Sequence, residues 1–230
     1  MPISTFIFDF DGTILDTESQ DFVVVNEMWQ AHGQTLDIGE WRKGLGTVGG
    51  FDPYEALEAA LKRPIDRPHW RTVNHERYHE RVMQQALRPG VAALFDYADA
   101  HHITLAVGSS ADRAWVTRWL THHQLIERFA TIVTRDDVVH VKPSPEIFLT
   151  AANNLGAVPA QCVVFEDSAH GATAAARAGM RCVAVPIPAL VDAWMPPTSV
   201  RLNTLADITP AQLVQRLAGL SSAPVHTVEK

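Results

Sequence analysis

Two carboxylates, two residues apart, follow the first apolar run of the chain. Residues 4–8 form that run and lead directly into Asp9-Phe10-Asp11-Gly12-Thr13, where Gly12 allows a tight turn. In open α/β sheets, ligands bind at the carboxyl ends of the strands. Carboxylates placed there suit nucleophilic attack, proton transfer or the binding of a divalent cation.

Three further chemical features lie where the same edge of a sheet would collect them, since each follows a later apolar run. They are the hydroxyl of Ser109, the amine of Lys142 in Val-Lys-Pro-Ser-Pro, and the acidic pair Glu166 and Asp167. Each feature taken alone has an ordinary structural explanation, such as a helix cap or the acidic first turn of a helix. Their agreement in order and position indicates one site.

Five short apolar runs are predicted to be the strands that position these groups. The runs are continuous rather than alternating, which is typical of strands covered on both faces of a parallel sheet. They are residues 4–8, 103–108, 131–134, 162–165 and 181–185. Helical segments alternate with them, including an alanine-rich segment that Ser168 can cap. This alternation predicts an α/β fold with a doubly wound parallel sheet, a Rossmann-like core.

One interval breaks the alternation of strands and helices. Between the first two apolar runs the pattern is amphipathic helix only, with helices predicted at 18–32, from Asp52 and from Pro68 to Leu87. That is too long for a single crossover and predicts an inserted helical domain. The chain then divides into a core of residues 1–14 and 88–220, a helical domain of residues 15–87, and a flexible tail of residues 221–230.

Composition excludes several classes of protein. The 230 residues are 47% hydrophobic and carry a formal net charge of −7, which disfavours a nucleic-acid partner. Cys162 and Cys182 form no Cys-x-x-Cys pair, so a disulfide scaffold is not expected. The first residues lack signal-peptide features, and no apolar run is long enough for a membrane span. We expect a cytoplasmic protein, a monomer or a small homo-oligomer, with no membrane partner.

The four features together resemble the four sequence motifs of the haloacid dehalogenase superfamily. Asp9–Thr13 resembles the first motif, Ser109 the second, Lys142 the third, and Phe165-Glu166-Asp167-Ser168 the fourth. The resemblance extends to about residue 218 and includes a helical cap inserted after the first motif. The layout is similar to that of the sugar-phosphate phosphatases and β-phosphoglucomutases of this branch. It implies a small phosphorylated substrate, in the first place a sugar phosphate.

The resemblance implies roles for the four motifs. Asp9 is the expected nucleophile, forming an aspartyl-phosphate, and Asp11 the acid and base that protonates the leaving oxygen and deprotonates water. Ser109 and Lys142 are expected to bind the transferring phosphoryl oxygens.

A carboxylate also needs a cation beside it before it can attack an anionic phosphate, and Mg²⁺ would supply it. The implied ligands are Asp9, the backbone carbonyl of Asp11, and Asp167. Glu166 is expected close behind them.

The segment from about residue 42 to 50, which contains Lys43-Gly44-Leu45-Gly46-Thr47, is the expected part of the cap that contacts the leaving group. Its glycines predict a mobile lid. The mutases of the branch resemble one another in an arginine where this chain has Thr47, and in a histidine where it has Asp21. Both departures favour hydrolysis, although Arg42 and Lys43 could still bind a distal phosphate. Mutase activity is therefore the alternative.

Two other functions are weighed. His75-Glu76-Arg77-Tyr78-His79 matches the His-Glu-x-x-His zinc signature, but its charged surroundings favour a solvated helix over a zinc metallopeptidase. A non-catalytic phosphate-receiver module also combines an aspartate, a hydroxyl and a lysine, yet there the order of the acidic features is reversed. Elsewhere, Trp115 and Trp119 are predicted to be core, and Arg88-Pro89-Gly90 is predicted to end a helix.

Overall fold

The computed structural model describes residues 2–44, 51–190 and 195–220. Within them, six parallel strands form one sheet in the order β3-β2-β1-β4-β5-β6. The strands are β1 (Thr5–Phe8), β2 (Thr104–Gly108), β3 (Thr131–Val133), β4 (Cys162–Glu166), β5 (Arg181–Ala184) and β6 (Val200–Arg201). The predicted α/β fold is confirmed, and the five apolar runs coincide with β1 to β5. The two-residue β6 is too short for any hydrophobic pattern to reveal.

The sheet is covered on both faces, which explains the continuous apolar runs. Successive side chains of β1 point to opposite faces, so Phe6 and Phe8 join one buried cluster and Ile7 the other. Phe8 stacks on Phe165 of β4 with ring centroids 4.4 Å apart, and Phe6 meets Phe165 edge to face at 5.1 Å. These contacts hold the two central strands, from which most of the candidate site projects.

Helices alternate with the strands after residue 90. The helices of the described ranges are α1 (Thr17–Ala31), α2 (Ile38–Trp41), α3 (Pro53–Leu61), α4 (Arg67–Met83), α5 (Val91–Ala100), α6 (Arg113–His122), α7 (Glu146–Asn154), α8 (Ala169–Arg177) and α9 (Pro210–Ala218). Ser168 caps α8 as predicted, its hydroxyl accepting from the N–H of Gly171 at 3.1 Å. No helix in the described ranges is long and apolar enough to cross a membrane.

Helices α1 to α4, residues 17–83, form the helical block between β1 and α5. The helix predicted from Pro68 to Leu87 has different bounds. It begins at Arg67, because the side chain of Asp66 caps it, and it ends at Met83. The N–H groups of Gln84 and Gln85 bond to carbonyls three residues back, which tightens and closes the last turn. The division into two domains, with its predicted boundaries, stays a prediction.

The helical block packs on the core through aromatic side chains. Tyr78 of α4 stacks on Trp115 of α6, with centroids 5.2 Å apart and planes 6° from parallel. A separate cluster inside the block includes Met28 and Trp41, and Ile187, which follows β5, belongs to it. The chain returns to the core at Arg88, whose N–H donates to the carbonyl of Ile14 at 2.9 Å. The block thus leaves and rejoins the core at neighbouring points.

Candidate active site

The predicted site residues meet at the carboxyl edge of the sheet. Asp9 follows β1, Ser109 follows the adjacent β2, and Glu166 ends β4 on the other side of β1. Lys142 lies between β3 and α7 and reaches this edge with its side chain. These four residues are buried, as is Asp167. We call these five residues, with Asp11, the sheet-edge site.

Lys142 bridges two carboxylates. Its Nζ donates to Asp9 Oδ1 at 2.5 Å and to Glu166 Oε1 at 2.6 Å. Burial by itself lowers the pKa of Lys142, but the two carboxylates outweigh burial and place that pKa above its ordinary value. Lys142 is therefore a fixed positive charge beside Asp9.

Burial raises the pKa of Asp9 to about 8, and the attraction of Lys142 offsets only part of this effect. Burial, followed by the nearby charges of Glu166 and Asp9, likewise holds the pKa of Asp167 well above its ordinary value. A second cation at this site would favour the ionised form of both groups.

Asp9, Glu166 and Asp167 form a candidate metal site. One carboxylate oxygen of each lies within 4.8 Å of the others, and the group is buried. Three hard oxygen donors facing one cation, Lys142, fit the preferences of Mg²⁺. Both oxygens of Glu166 are already engaged, Oε1 by Lys142 and Oε2 by the N–H and hydroxyl of Ser168 at 2.9 Å each. Glu166 therefore orients its neighbours, which leaves Asp9 and Asp167 as the freer ligands.

Two glycines make room for these carboxylates. A Cβ at Gly12, where φ is +76°, would lie 2.1 Å from Oδ2 of Asp167. A Cβ at Gly171, in α8, would lie 1.7 Å from Oε1 of Glu166. Neither position can carry a side chain without displacing an acidic group. The sequence analysis explained Gly12 by its turn alone and did not identify Gly171.

Asp11 is held through a single oxygen. Its Oδ1 accepts from Thr17 Oγ1 at 2.8 Å and from Trp115 Nε1 at 2.9 Å. Burial raises the pKa of Asp11, and the hydrogen bonds from Trp115 and Thr17 work in the opposite direction. Trp119 is core as predicted, but Trp115 is only part-buried and contacts Asp11, so the core prediction for Trp115 was incomplete.

Ser109 is oriented by the turn that follows β2. Its N–H donates to the carbonyl of Val133 at 2.9 Å, and its Oγ accepts from the N–H of Ala111 at 3.0 Å. The hydroxyl hydrogen is left to be donated elsewhere, as phosphate binding would require.

Arg88 is a site residue that the sequence analysis missed. Its guanidinium donates to the carbonyls of Gly12, of Val185 at 2.8 Å and of Pro186 at 3.1 Å. It therefore joins the Asp9–Thr13 loop to the segment after β5. Burial lowers the pKa of Arg88, while the negative charge of Asp167 raises it. The sequence around Arg88-Pro89-Gly90 contains no local pattern that predicts these long-range contacts.

The predicted cap residues are not joined to the sheet-edge site by any contact among the described residues. Lys43 lies in a short 3₁₀ segment with Gly44 and is exposed, paired with Glu40 at 2.6 Å. Thr47 lies outside the described residues. Glu18 of α1, which was not predicted, is close to the site: burial, followed by the charges of Asp11 and Asp21, holds its pKa well above its ordinary value.

The zinc alternative finds no support in the described ranges. The rings of His75 and His79 lie 4.2 Å apart on α4. Among the described residues, the only cluster of three potential metal ligands is that of Asp9, Glu166 and Asp167. His79 packs instead against Trp115 and Trp119, at centroid distances of 5.4 and 5.7 Å. His79 therefore has a structural position between α4 and α6, and His75 is exposed.

Comparison with known proteins gives consistent relatives. A family profile described as haloacid dehalogenase-like hydrolase matches residues 6–185. "Putative phosphatase YhcW" of Bacillus subtilis (strain 168) is 39% identical over 215 residues, covering 94% of this chain and 98% of the relative. Fructose-1-phosphate phosphatase YqaB of Escherichia coli (strain K12) is 32% identical over 184 residues, covering 78% and 94% respectively.

Among solved structures, that of CbbY from Rhodobacter sphaeroides in complex with phosphate superimposes with a TM-score of 0.69. It is 30% identical in sequence, and the match covers 89% of this chain and 96% of CbbY. The likeness therefore extends over the sheet and the helical block together.

Proposed function

Because the chain belongs to the haloacid dehalogenase-like hydrolase family and is a phosphoric monoester hydrolase, we propose that it hydrolyses a small phosphorylated metabolite through an aspartyl-phosphate on Asp9, with Mg²⁺ as cofactor. The observation that carries the proposal is the bridge from Lys142 to Asp9 and Glu166, beside Asp167. This bridge supports the proposal because the groups that would act as nucleophile, fixed cation and metal ligand then lie together at one buried point.

In the first step, an oxygen of Asp9 attacks phosphorus while the bond to the leaving oxygen breaks. Asp11 donates its proton to that oxygen, so the alcohol departs neutral. Lys142 and Ser109 bind the phosphoryl oxygens during the transfer, Lys142 as a compact charge and Ser109 through its hydroxyl.

In the second step, Asp11 takes a proton from water, and the water oxygen attacks phosphorus and breaks its bond to Asp9. Asp9, Asp167 and the backbone carbonyl of Asp11 would hold Mg²⁺, with Glu166 behind them. When bound, the ion neutralises charge on the phosphate and lets a carboxylate approach it.

A sugar phosphate is the substrate class we propose. The name of YqaB gives fructose 1-phosphate as its substrate, and that relative covers most of this chain. In our proposal the helical block, residues 15–87 in its full predicted extent, acts as a cap over the sheet-edge site, and residues 43–47 contact the leaving group. The stacking of Tyr78 on Trp115 supports this proposal, because it seats the block beside Asp11.

Hydrolysis is favoured over phosphoryl transfer between two positions of a sugar. A mutase must hold a second phosphate, for which the block offers Arg42 and Lys43. Lys43 is already paired with Glu40, whereas the buried Nε of Arg42 has no hydrogen-bond partner among the described residues. Near Asp11 the block presents the carboxyl group of Glu18, which cannot supply the positive charge that a second phosphate would need. Mutase activity is kept as the alternative outcome of the test. Family membership removes the receiver-module interpretation.

The test is a substrate panel with Mg²⁺: several sugar phosphates, including fructose 1-phosphate and β-glucose 1-phosphate primed with the bisphosphate. Free phosphate and glucose 6-phosphate are measured separately. Phosphate release that chelator and Asp9→Asn both abolish is the expected result. Glucose 6-phosphate with little free phosphate would establish a mutase instead.

A thermal-shift titration tests the metal independently of turnover. Mg²⁺ that binds the native state raises its stability, so the melting temperature of the wild type should increase with Mg²⁺ and that of Asp167→Asn should not. An equal increase in both proteins would contradict the proposed ligands.

The cytoplasmic setting also stays part of the proposal. Cys162 and Cys182 are both buried free thiols, which is compatible with a reducing compartment.

A further inference from the structure

The two hydrogen bonds to Asp11 end on the same oxygen. Thr17 of the helical block and Trp115 of the core both donate to Oδ1, at 2.8 and 2.9 Å. A carboxyl oxygen has two lone-pair positions, so these donors fill Oδ1. Among the described residues, no donor contacts Oδ2. A proton on Asp11 is thereby directed to Oδ2, the oxygen left for the substrate.

Trp115 is itself fixed from several sides. Its backbone N–H donates to the capping carboxylate of Asp112 at 2.7 Å, which sets the first turn of α6. Its indole is stacked on Tyr78 and meets Trp119 edge to face at 5.4 Å. An indole held in this way can aim its single N–H in one direction, and that direction is Asp11.

We propose that Trp115 is a positioning residue for Asp11, which fixes the carboxyl group of that residue so that its proton lies on Oδ2 and faces the leaving oxygen. The inference rests on the proposed phosphatase function. Since Tyr78 belongs to the helical block, the stacking also makes this orientation depend on how the block sits against α6.

The step affected is the departure of the alcohol. As Asp9 forms its bond to phosphorus, the electron pair of the breaking bond moves to the leaving oxygen, which accepts the proton from Asp11 Oδ2. Asp11 ends as a carboxylate, and its Oδ1 keeps both donors. An alkyl leaving group needs this proton, whereas p-nitrophenolate leaves without it. Loss of positioning should therefore depend on the leaving group.

The experiment compares kcat/KM of the wild type and Trp115→Phe on two substrates. These are p-nitrophenyl phosphate and the sugar phosphate of the panel that the wild type hydrolyses fastest. Phenylalanine keeps an aromatic ring for Tyr78 and removes the N–H. The ratio kcat/KM is used because it ends at the release of the alcohol, so the shared hydrolysis of the aspartyl-phosphate does not enter.

For Trp115→Phe, kcat/KM on the sugar phosphate should fall about 10- to 100-fold, a part of the 10²- to 10⁴-fold typical of acid–base catalysis. On p-nitrophenyl phosphate the fall should be less than about threefold. Thr17→Val, which removes the other donor to Oδ1 without changing the shape of the side chain, should give the same leaving-group dependence.

Trp119→Phe is the matched control. Trp119 lies one turn further along α6, is buried, and its Nε1 has no acceptor among the described residues. Because phenylalanine keeps an aromatic ring against the indole of Trp115, the same loss of ring volume there should leave the ratio of the two substrates unchanged. An equal loss on both substrates in Trp115→Phe would make Trp115 merely structural and overturn the inference. A wild type inactive on both substrates would overturn the proposed function and the inference with it.

Discussion

The sheet-edge site and the helical block use the same charged residue types under opposite conditions. At the sheet edge, the side chains of Lys142 and Asp9 are 4% and 9% exposed. In the block, those of Arg77 and Glu27, which also form an ion pair, are 49% and 37% exposed. Buried charges are costly to separate and respond strongly to one another, whereas exposed pairs contribute little. Chemistry is therefore expected from the sheet edge and adaptable surface from the block.

The largest contrast should come from one substitution made in both regions. Asp9→Asn removes the proposed nucleophile and should lower kcat by at least about 10³-fold, because the proposed mechanism assigns the aspartyl-phosphate to no other group. Asp37→Asn in the block should change neither activity nor stability, since asparagine caps a helix as well as aspartate does. Steady-state kinetics and thermal melts of both variants measure this. Activity retained in Asp9→Asn would contradict the assigned nucleophile.

The ion pairs offer a second contrast, in stability. Lys142→Met leaves Asp9 and Glu166 buried without their cation and should lower the free energy of unfolding by about 3–5 kcal/mol. Arg77→Met breaks an exposed pair with Glu27 and should cost less than about 1 kcal/mol. Urea titrations without added metal compare the two. Similar costs would show that the two regions do not differ as burial indicates.

A glycine-to-alanine substitution beside the sheet-edge site should lower stability less than the loss of Lys142. Gly171→Ala would ordinarily strengthen a helix, but here the new methyl group meets Glu166, so a loss of about 1–3 kcal/mol is expected. Weaker Mg²⁺ binding should accompany it, because Glu166 orients the other carboxylates. Gly219→Ala is the control and should be close to neutral, because apart from the chain neighbours no atom of the described residues lies closer than 3.6 Å to the added Cβ. Calorimetric titration and urea unfolding give both quantities.

The smallest effect is expected where the two regions touch. Burial lowers the pKa of His79 in the folded protein, and the charge of the neighbouring His75 lowers it further. The unfolded chain then binds the proton more readily, so this contribution to stability is present above the ordinary histidine pKa and is lost as the pH falls below it. His79→Phe should flatten the decrease in stability between about pH 7 and pH 5.5. If stability decreases with falling pH as steeply in this variant as in the wild type, His79 does not cause the decrease.

Sequence analysis predicted the groups that follow strands and missed those that act from a distance. Asp9, Ser109 and Glu166 could be found because a continuous apolar run ends just before each. Trp115 reaches Asp11 across 104 positions, and Arg88 reaches Gly12 across 76. A hydrogen bond of that range leaves no periodicity and no spacing, so the packing of α6 and of the return segment had to be seen.

The end of the last helix in the helical block also could not be predicted from local sequence patterns. The last predicted helix extends past Met83 in the sequence pattern because Gln84 and Gln85 are good helix formers. Its end depends instead on where the chain must turn back towards Ile14. Helix propensity predicts that a helix forms here, but tertiary contacts determine the residue at which it ends.

The hydrogen bond between the N–H of Arg88 and the carbonyl of Ile14 has a consequence for protein engineering. Because the chain leaves and re-enters the core at neighbouring points, we expect that the helical block can be exchanged for another insert at two neighbouring junctions. The register of the parallel sheet, from β1 to β2, does not pass through the block. We therefore expect the core to accept other inserted modules, provided that each insert leaves Arg88 in place to bond the carbonyl of Gly12.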